Sequence, residues 1–266
     1  MKHRETDISS TMLQELQDLR ALPRPVYGHV LGLANRAIGH RHRHPWGQLS
    51  YAAHGVIEVI TDTGRYLAPP LYAVWVPAGA AHAVRRFEGT EIRSLYIAPS
   101  AAFAPGQDCR VIGVTPLLRE LIRTFGDYPV EYDERGEQGR LVGVMLDQLA
   151  AAPEADLAIP WPHDPRLKKI CRELHAHPHY ATTLQEYAGR LKVSEKTLSR
   201  LFLQQTGLTF RAWRQRMRIL AALPLLERGD RVTDVAIACG YDSMSAFIAA
   251  FRWFSGMTPG EFFKQP

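Results

Sequence analysis

The sequence predicts an α+β multidomain protein with a small β-barrel in its front half and an all-α back half. Short apolar segments separated by turn residues fill the front half, as a barrel requires. The back half contains a tandem helical repeat. Charge divides at the same place, because residues 166–266 hold 16 Lys and Arg against 8 Asp and Glu, whereas residues 1–165 hold 16 against 19. A length of 266 residues with 46% hydrophobic content is enough for two cores.

Residues 1–112 are predicted to form the barrel strands. Four segments carry the strand pattern, and turn residues lie within or beside them. They are QLSYAAHGVIEVITDTGRYLAPP, YAVWVPAG, HAVRRF and IRSLYIA. Strands this short and this close together are typical of a small β-barrel.

Residues 113–150 are predicted to form two amphipathic helices. The segments TPLLRELIRTF and GRLVGVMLDQLAA repeat apolar residues at helical spacing. More often than not such a stripe packs on its own domain, and the alternative is a contact with a second copy of the chain. The stripes are Leu117, Leu118, Leu121 and Ile122 in the first helix, and Leu141, Val144, Met145 and Leu149 in the second.

Residues 151–165 are predicted to be an extended linker, because four prolines fall within them. No apolar run approaches the roughly 18 residues of a membrane span, and the start of the chain lacks an apolar signal-peptide core. Cys109, Cys171 and Cys239 form no CxxC pair, so neither a disulfide framework nor a cysteine zinc site is indicated. We therefore expect a cytoplasmic protein with no membrane partner.

Residues 166–266 repeat themselves. Five positions recur at offsets of 48 or 49 residues: Ala188, Leu198, Phe202, Gly207 and Thr209 match Ala236, Phe247, Phe251, Gly256 and Thr258. Each copy shows a short helix, a tight turn and a second helix that ends at a glycine, which is the helix-turn-helix pattern. Two such motifs in one chain, with the excess positive charge, predict binding to a non-palindromic stretch of double-stranded DNA.

One helix is predicted to join the two motifs. The segment TFRAWRQRMRILAALPLLERG carries Phe210, Trp213, Met217 and Leu220 at helical spacing. Pro224 falls on the same face, where it has no N–H for the carbonyl four residues earlier and costs about 3 kcal/mol in a regular helix. We expect the helix to kink by more than about 20° near the proline, or to stop and restart there.

The closing stretch VTDVAIACGYDSMSAFIAAFRWFSGMTPGEF is highly specific, and with it residues 166–264 resemble the AraC/XylS family of bacterial transcription regulators. The stretches WGQLSYAAHGVIEV and AVWVPAGAAH resemble the NimR-like branch, whose members have an N-terminal cupin domain. The resemblance implies a cupin-like sensor domain, dimerisation helices and an AraC-type double helix-turn-helix domain. It also implies transcription regulation through RNA polymerase, with a homodimer as the working form, and it hints at control of a neighbouring efflux transporter gene. The family resemblance implies activation of transcription, whereas the residues leave the sign of regulation open.

The family reads DNA with the second helix of each motif, which assigns the contact residues. In the first reading helix Leu198, Leu201, Phe202 and Gln205 are expected to face inward. Arg200 is the strongest candidate for a base contact because a guanidinium binds guanine bidentately, and the alternative is a phosphate contact. In the second helix Ala249 offers methyl contacts and little hydrogen bonding, and Arg252 is expected at phosphate. The assigned residues are Lys196, Thr197, Ser199, Arg200 and Leu203, then Ser245, Ala246, Ala249 and Arg252.

The stretch HRHRHPWGQ, residues 40–48, carries candidate metal ligands. The first cupin motif, HxH(x)3E(x)6G, is matched by His42, His44, Gln48 and Gly55, with Gln in place of Glu, and the second, PxGxxH, by Pro77, Gly79 and His82. Alternation along a strand would turn the histidines to one face and the intervening arginines to the other. Three imidazoles suit Zn, Ni, Fe or Cu, and neutral Gln48 would be a weaker ligand than Glu.

Two other readings of the histidines stay open. Regulatory cupins often use the barrel for a small organic effector, and histidines inside a barrel are often merely hydrogen-bonded. The alternative function is a cupin metalloenzyme, a dioxygenase or an isomerase, fused to a DNA-binding domain. Gln48 counts against that enzyme, so we expect a regulator without enzymatic activity. A second cluster, His175, His177 and His179, is expected to be solvated.

Overall fold

Strands fill the front of the chain and helices the back. The computed structural model describes residues 18–28, 35–101 and 106–263. Backbone proximity divides the chain into two units, Met1–Thr61 with Tyr66–Ala158, and Asp62–Arg65 with Ile159–Pro266. No helix among the described residues is long and apolar enough to cross a membrane.

The described residues contain two antiparallel sheets. The strands are β1 (Val26–Tyr27), β2 (Gly47–His54), β3 (Ile57–Thr61), β4 (Gly64–Ala68), β5 (Tyr72–Val76), β6 (His82–Arg86), β7 (Glu91–Ile92), β8 (Leu95–Ile97), β9 (Arg110–Gly113), β10 (Glu154–Ala155) and β11 (Ala158–Pro160). The larger sheet has the order β1-β8-β2-β5-β9-β10, with β7 also on β2, and the smaller one has the order β11-β4-β3-β6. The β-rich front half predicted from the sequence is confirmed, whereas closure into a cupin barrel stays a prediction.

The glycines of the two cupin motifs each lie in a turn between two strands. Gly55 lies between β2 and β3 with φ +78°, and a Cβ there would run into the backbone of Thr90. Gly79 lies between β5 and β6 with φ +79°, and its N–H donates to the carbonyl of His44 at 2.9 Å. Because a positive φ favours glycine, both positions follow from backbone geometry.

Two helices pack on the larger sheet. They are α1 (Pro116–Gly126), which Thr115 caps by accepting from the N–H of Leu118, and α2 (Glu137–Ala150). Leu118 and Met145 are fully buried in one core with residues of β2, β5 and β8. Leu117 and Val144, by contrast, keep 53% and 45% of their surface exposed. The predicted stripes thus serve their own core in part, and dimerisation through them stays a prediction.

The proline-rich stretch 151–165 has paired backbone along most of its length. Its strand β10 pairs with β9, and the N–H of Leu67 donates to the carbonyl of Leu157 at 3.0 Å. In the second unit the N–H of Trp161 donates to Thr63, and the side-chain oxygen of Gln205 accepts from the N–H groups of His163 and Asp164. The backbone is extended, as prolines require, but these bonds tether it.

The back half is all helical. Its helices are α3 (Pro165–Ala176), α4 (Leu184–Leu191), α5 (Glu195–Thr206), α6 (Phe210–Glu227), α7 (Val232–Ala238), α8 (Met244–Ser255) and α9 (Pro259–Phe262). The pairs α4–α5 and α7–α8 are the two predicted helix-turn-helix motifs. The helical, duplicated back half is therefore confirmed.

The hydrogen bonds that cap the second helix of one motif recur in the other motif. Ser194 caps α5 by accepting from the N–H of Thr197, the third residue of the helix, and Ser243 caps α8 by accepting from the N–H of Ala246 in the same way. Gly207 and Gly256 end these helices with φ of 70° and 79°. A left-handed glycine after the last turn is the common way to satisfy the final carbonyls of a helix. The two reading helices therefore begin and end by the same local chemistry.

The connecting helix corrects one form of the Pro224 prediction. α6 runs unbroken through Pro224 to Glu227, so the predicted stop and restart is wrong. The proline lies in the last turn, where it removes the bond to the carbonyl of Leu220, while buried Leu220 and Leu223 hold the turn by packing. A kink, the other form of the prediction, stays a prediction.

Candidate DNA-reading helices and a three-histidine pocket

Helix α5 turns the assigned residues away from its core. Its five assigned residues are all exposed: Lys196, Thr197, Ser199, Arg200 and Leu203. Leu198 and Phe202 are buried, and Leu201 and Gln205 are half-buried. The Thr197 hydroxyl lies 2.8 Å from the Ser194 hydroxyl, so it belongs to the helix cap. The inward and outward faces deduced from the sequence are those of the folded helix.

Aromatic packing fixes the position of α5. The ring of Phe202 lies 5.4 Å from that of Phe210 and 5.6 Å from that of Trp213, both in edge-on contact. The Trp213 indole N–H donates to the carbonyl of Pro160 at 2.8 Å, which ties α6 to the start of the same unit. A reading helix held this way presents its outer face rigidly, as sequence recognition requires.

Arg200 keeps its guanidinium available. Among the described residues it makes no hydrogen bond or ion pair, unlike Arg190, whose guanidinium donates to the Glu173 carboxylate at 3.3 Å. It lies in the middle of the exposed face of α5. A free guanidinium on a rigid helix has the geometry for bidentate binding to guanine or for a phosphate contact.

Helix α8 has a less polar outer face. Ser245, Ala246, Ala249 and Arg252 are all exposed, as the assignment requires. The next residue, Trp253, is 79% exposed, and no sequence pattern separates it from the buried aromatic residues around it. The second reading helix therefore offers small side chains at its centre and a basic and an aromatic residue nearer its end.

Three buried histidines come together in the front unit. One ring nitrogen from each of His42, His44 and His82 lies within 4.8 Å of the others. The backbones of His42 and His82 form an isolated antiparallel bridge, with N–H to O distances of 2.8 and 2.9 Å in the two directions. Apart from this bridge, residues 40–44 form no strand. Burial still alternates over residues 41–44, with Arg41 and Arg43 exposed and His42 and His44 buried, whereas His40, expected on the same face as the other two histidines, is exposed.

The second ring nitrogen of each histidine has a backbone partner. Nδ1 lies 2.8 Å from the His40 carbonyl for His42, 2.8 Å from the Trp46 carbonyl for His44 and 2.9 Å from the Ala80 carbonyl for His82. This contact places the single proton of a neutral imidazole on Nδ1 and leaves Nε2 as a lone pair. Metal-ligating histidines are oriented in this way.

Burial keeps the three rings neutral. Desolvation lowers the pKa of His42 and His44, and it lowers the pKa of His82 to about 3. The neighbouring imidazoles lower the pKa of His82 further. Neutral imidazole is the form that binds metals.

Gln48 lies between two of the rings. Its Oε1 is 3.0 Å from Nε2 of His44 and 3.1 Å from Nε2 of His82, and its Nε2 donates to the Ser50 hydroxyl at 2.8 Å. Ser50 is buried two residues along β2, on the same face, and the sequence motifs did not point to it. Trp46 stacks on His44 with ring centres 5.2 Å apart, and Tyr96 packs against both.

These residues fit a divalent transition metal. Lone pairs of three imidazoles and one amide oxygen converge, and in the described residues no carboxylate joins the cluster. Nitrogen donors with one oxygen suit Zn, Ni or Fe rather than Mg or Ca. By contrast, His177 and His179 of the second cluster are exposed and pack on Tyr180.

Comparisons with known proteins agree with both halves. A helix-turn-helix domain family matches residues 187–265, and the AraC-like ligand binding domain family matches residues 26–143. The HTH-type transcriptional regulator NimR of Escherichia coli strain K12 is 36% identical over 221 residues, which are 83% of this chain and 81% of that protein. The chain belongs to the AraC family of transcription regulators. The HTH-type transcriptional activator RhaS of Klebsiella pneumoniae strain 342 is 35% identical over 110 residues, 41% of this chain and 38% of RhaS.

Two solved structures are also similar. The match to ToxT from Vibrio cholerae covers 89% of this chain and 96% of the ToxT chain, at 12% identity and a TM-score of 0.37. The match to the DNA-binding domain of AdpA, solved with a target DNA, covers 37% of this chain and 89% of the AdpA chain, at 31% identity and a TM-score of 0.35. The family assignment rests on the sequence relatives, because both TM-scores are below 0.5.

Proposed function

We propose that this AraC-family protein is a sequence-specific transcription regulator that responds to a small molecule or metal bound in its front unit. The observation that carries DNA reading is the pair of capped, core-anchored helices α5 and α8, each with its assigned residues exposed. The connecting helix supports simultaneous binding. Its 18 residues span about 27 Å, near the ~34 Å between successive major-groove faces of DNA.

Purified full-length protein should bind DNA from upstream of its own gene or the adjacent gene, with and without added Zn, Ni or Fe. An unrelated duplex of equal length is the control. We propose a neighbouring efflux transporter gene as the target, on the resemblance to the NimR-like branch. Binding to all duplexes with equal affinity would contradict sequence-specific regulation.

The proposed effector site is the three-histidine pocket, with His42, His44, His82 and Gln48 as metal ligands. Convergence of these lone pairs, in a cluster that no carboxylate of the described residues joins, supports this assignment. A bound metal would supply a positive charge to which an effector could coordinate. Metal content after dialysis, compared between the wild type and His82→Ala, tests it. Absence of bound metal would leave the pocket to an organic effector.

A homodimer is proposed through α1 and α2, because both helices carry more apolar surface than their own core uses. Leu118 and Met145 complete that core, whereas Leu117 and Val144 remain half-exposed. Leu117→Glu should therefore shift the sedimentation of the purified protein toward the monomer, while Arg123→Glu on the same helix should not. Equal dimer content in both variants would contradict this interface.

RNA polymerase is the second proposed macromolecular partner, with activation as the output. Support comes from family membership and from RhaS, a relative that is named an activator. Transcription in vitro from the bound promoter, with purified polymerase and with or without the regulator, measures the sign directly. A fall in transcript would make the protein a repressor.

A further inference from the structure

Two imidazole rings in the pocket face a hydrogen-bond acceptor at both nitrogens. His44 has the Trp46 carbonyl 2.8 Å from Nδ1 and the Gln48 oxygen 3.0 Å from Nε2. His82 has the Ala80 carbonyl 2.9 Å from Nδ1 and the same Gln48 oxygen 3.1 Å from Nε2. A neutral imidazole has one N–H to donate. For each ring, therefore, one of the two nitrogen–oxygen contacts lacks a hydrogen atom and is not a hydrogen bond.

A second proton on each ring does not resolve this conflict. Both rings are buried, and His42 lies beside them, with ring centres 5.9 Å from His44 and 4.3 Å from His82. Neighbouring cations would repel one another in this buried site, because no carboxylate within the described part of the chain joins the cluster. The rings stay neutral, so the missing partner must come from elsewhere.

Two arrangements satisfy His44, His82, Gln48 and Ser50 together. In the first, a metal ion lies among the lone pairs, the Gln48 oxygen faces it, and the Gln48 NH2 donates to the Ser50 hydroxyl at 2.8 Å, as in this structure. In the second, the amide is reversed. Its two N–H groups then point at the two Nε2 lone pairs, and its oxygen points at Ser50.

Ser50 makes both arrangements possible. A hydroxyl donates as well as accepts, so it can accept from the amide NH2 or donate to the amide oxygen. Ser50 is fully buried on β2, with its Cα paired to Val74 of the neighbouring strand β5. Neither Ala nor Val at this position could partner the amide in either orientation.

We propose that the Gln48 amide reverses when the pocket fills, with its oxygen inward on a bound metal and its NH2 inward on His44 and His82 when the pocket is empty. This inference rests on the proposed metal occupancy and deepens it. Glutamate at position 48 would bind a cation more strongly, but it has no N–H for the empty pocket. Glutamine thus gives the pocket two satisfied states, which is what reversible sensing of a metal needs.

Nuclear magnetic resonance of full-length protein labelled with 15N-glutamine tests the reversal, with Zn²⁺ as the probe. The Gln48 signal is identified by its loss in Gln48→Glu. In metal-free protein its NH2 protons should be close to the ring protons of His44 and His82, and after zinc binding to the β protons of Ser50. The side chain of Gln138, whose oxygen accepts from the N–H of Asp133, should show no change and is the internal control.

Zinc binding is measured on the same samples by equilibrium dialysis, which separates the two ideas. If zinc binds and the Gln48 NH2 keeps the same neighbours in both states, the reversal is wrong and the metal site stands. If zinc does not bind, the proposed metal occupancy fails and the reversal fails with it. If the metal-free NH2 is near Ser50, the empty state has been assigned wrongly and the proposal is overturned.

Discussion

Arg200→Ala is expected to weaken binding to the cognate DNA by about 1–3 kcal/mol, roughly five- to 150-fold, and to relax the preference at one base pair. The reason lies in the position of the side chain. Arg200 lies on the exposed face of α5, between the buried Leu198 and Phe202, and has no hydrogen bond or ion pair within the described residues. All N–H groups of its guanidinium therefore remain available to DNA.

The same geometry predicts little effect on folding. An exposed side chain without intramolecular partners usually changes the free energy of unfolding by less than about 0.5 kcal/mol when truncated. Alanine is also a good helix former. The loss measured in binding should therefore come from the interface itself, and thermal unfolding of Arg200→Ala should match that of the wild type.

Fluorescence anisotropy on the cognate duplex and on single-base variants measures both parts of this prediction. Ala249→Ser on α8 is the control for the second reading helix and should change affinity far less. A series in salt completes the test, because a lost phosphate contact lowers the slope of log affinity against log salt by about one. If Arg200→Ala weakens every duplex equally and lowers that slope, Arg200 contacts phosphate and the base assignment is refuted.

At zinc concentrations about 100-fold above Kd, the free energy of unfolding of the wild-type protein should rise by about 2.7 kcal/mol. His82→Ala should lose this gain, and His177→Ala should keep it. Calorimetry with and without a chelator measures the difference. Lys192→Gly should stabilise the back unit by about 0.5–1 kcal/mol in urea unfolding, because Lys192 has a φ of 55°, whereas Lys169→Gly inside α3 should destabilise it by a similar amount. Pro224→Ala should change DNA affinity or bending without removing a base contact, measured by gel mobility of permuted duplexes; unchanged values would refute a role for the proline.

The back half was predictable from the sequence because its signals are local. Caps such as Ser194, apolar spacing such as Leu198 to Phe202, and the terminal Gly207 each act within one or two turns of helix. Repetition of these signals at offsets of 48 or 49 residues then identified the second motif. The same locality explains why the inward and outward faces of α5 were assigned residue by residue.

Features that depend on distant partners were not predictable. The histidine motif indicated His42 and His82, but Ser50 matters through Gln48, and a serine inside an apolar strand has no sequence pattern of its own. Lys192 was missed for a local reason, because lysine rarely adopts the left-handed conformation that it has here, at the position where the second motif has Gly240. Prolines predicted an extended stretch at 151–165, but its strand partners lie far away in sequence.

The two reading helices have equivalent caps and equivalent buried residues, but their exposed side chains differ in chemistry. α5 presents Lys196 and Arg200, long donors of the kind that bind base edges, whereas the centre of α8 presents Ala246 and Ala249, which can touch a thymine methyl group and donate nothing. Hydrogen-bonded contacts discriminate bases more strongly than methyl contacts do. Because both helices belong to one chain, they should bind the two halves of one DNA site and discriminate bases unequally in them. The half bound by α5 should tolerate few base changes, and the half bound by α8 should tolerate many.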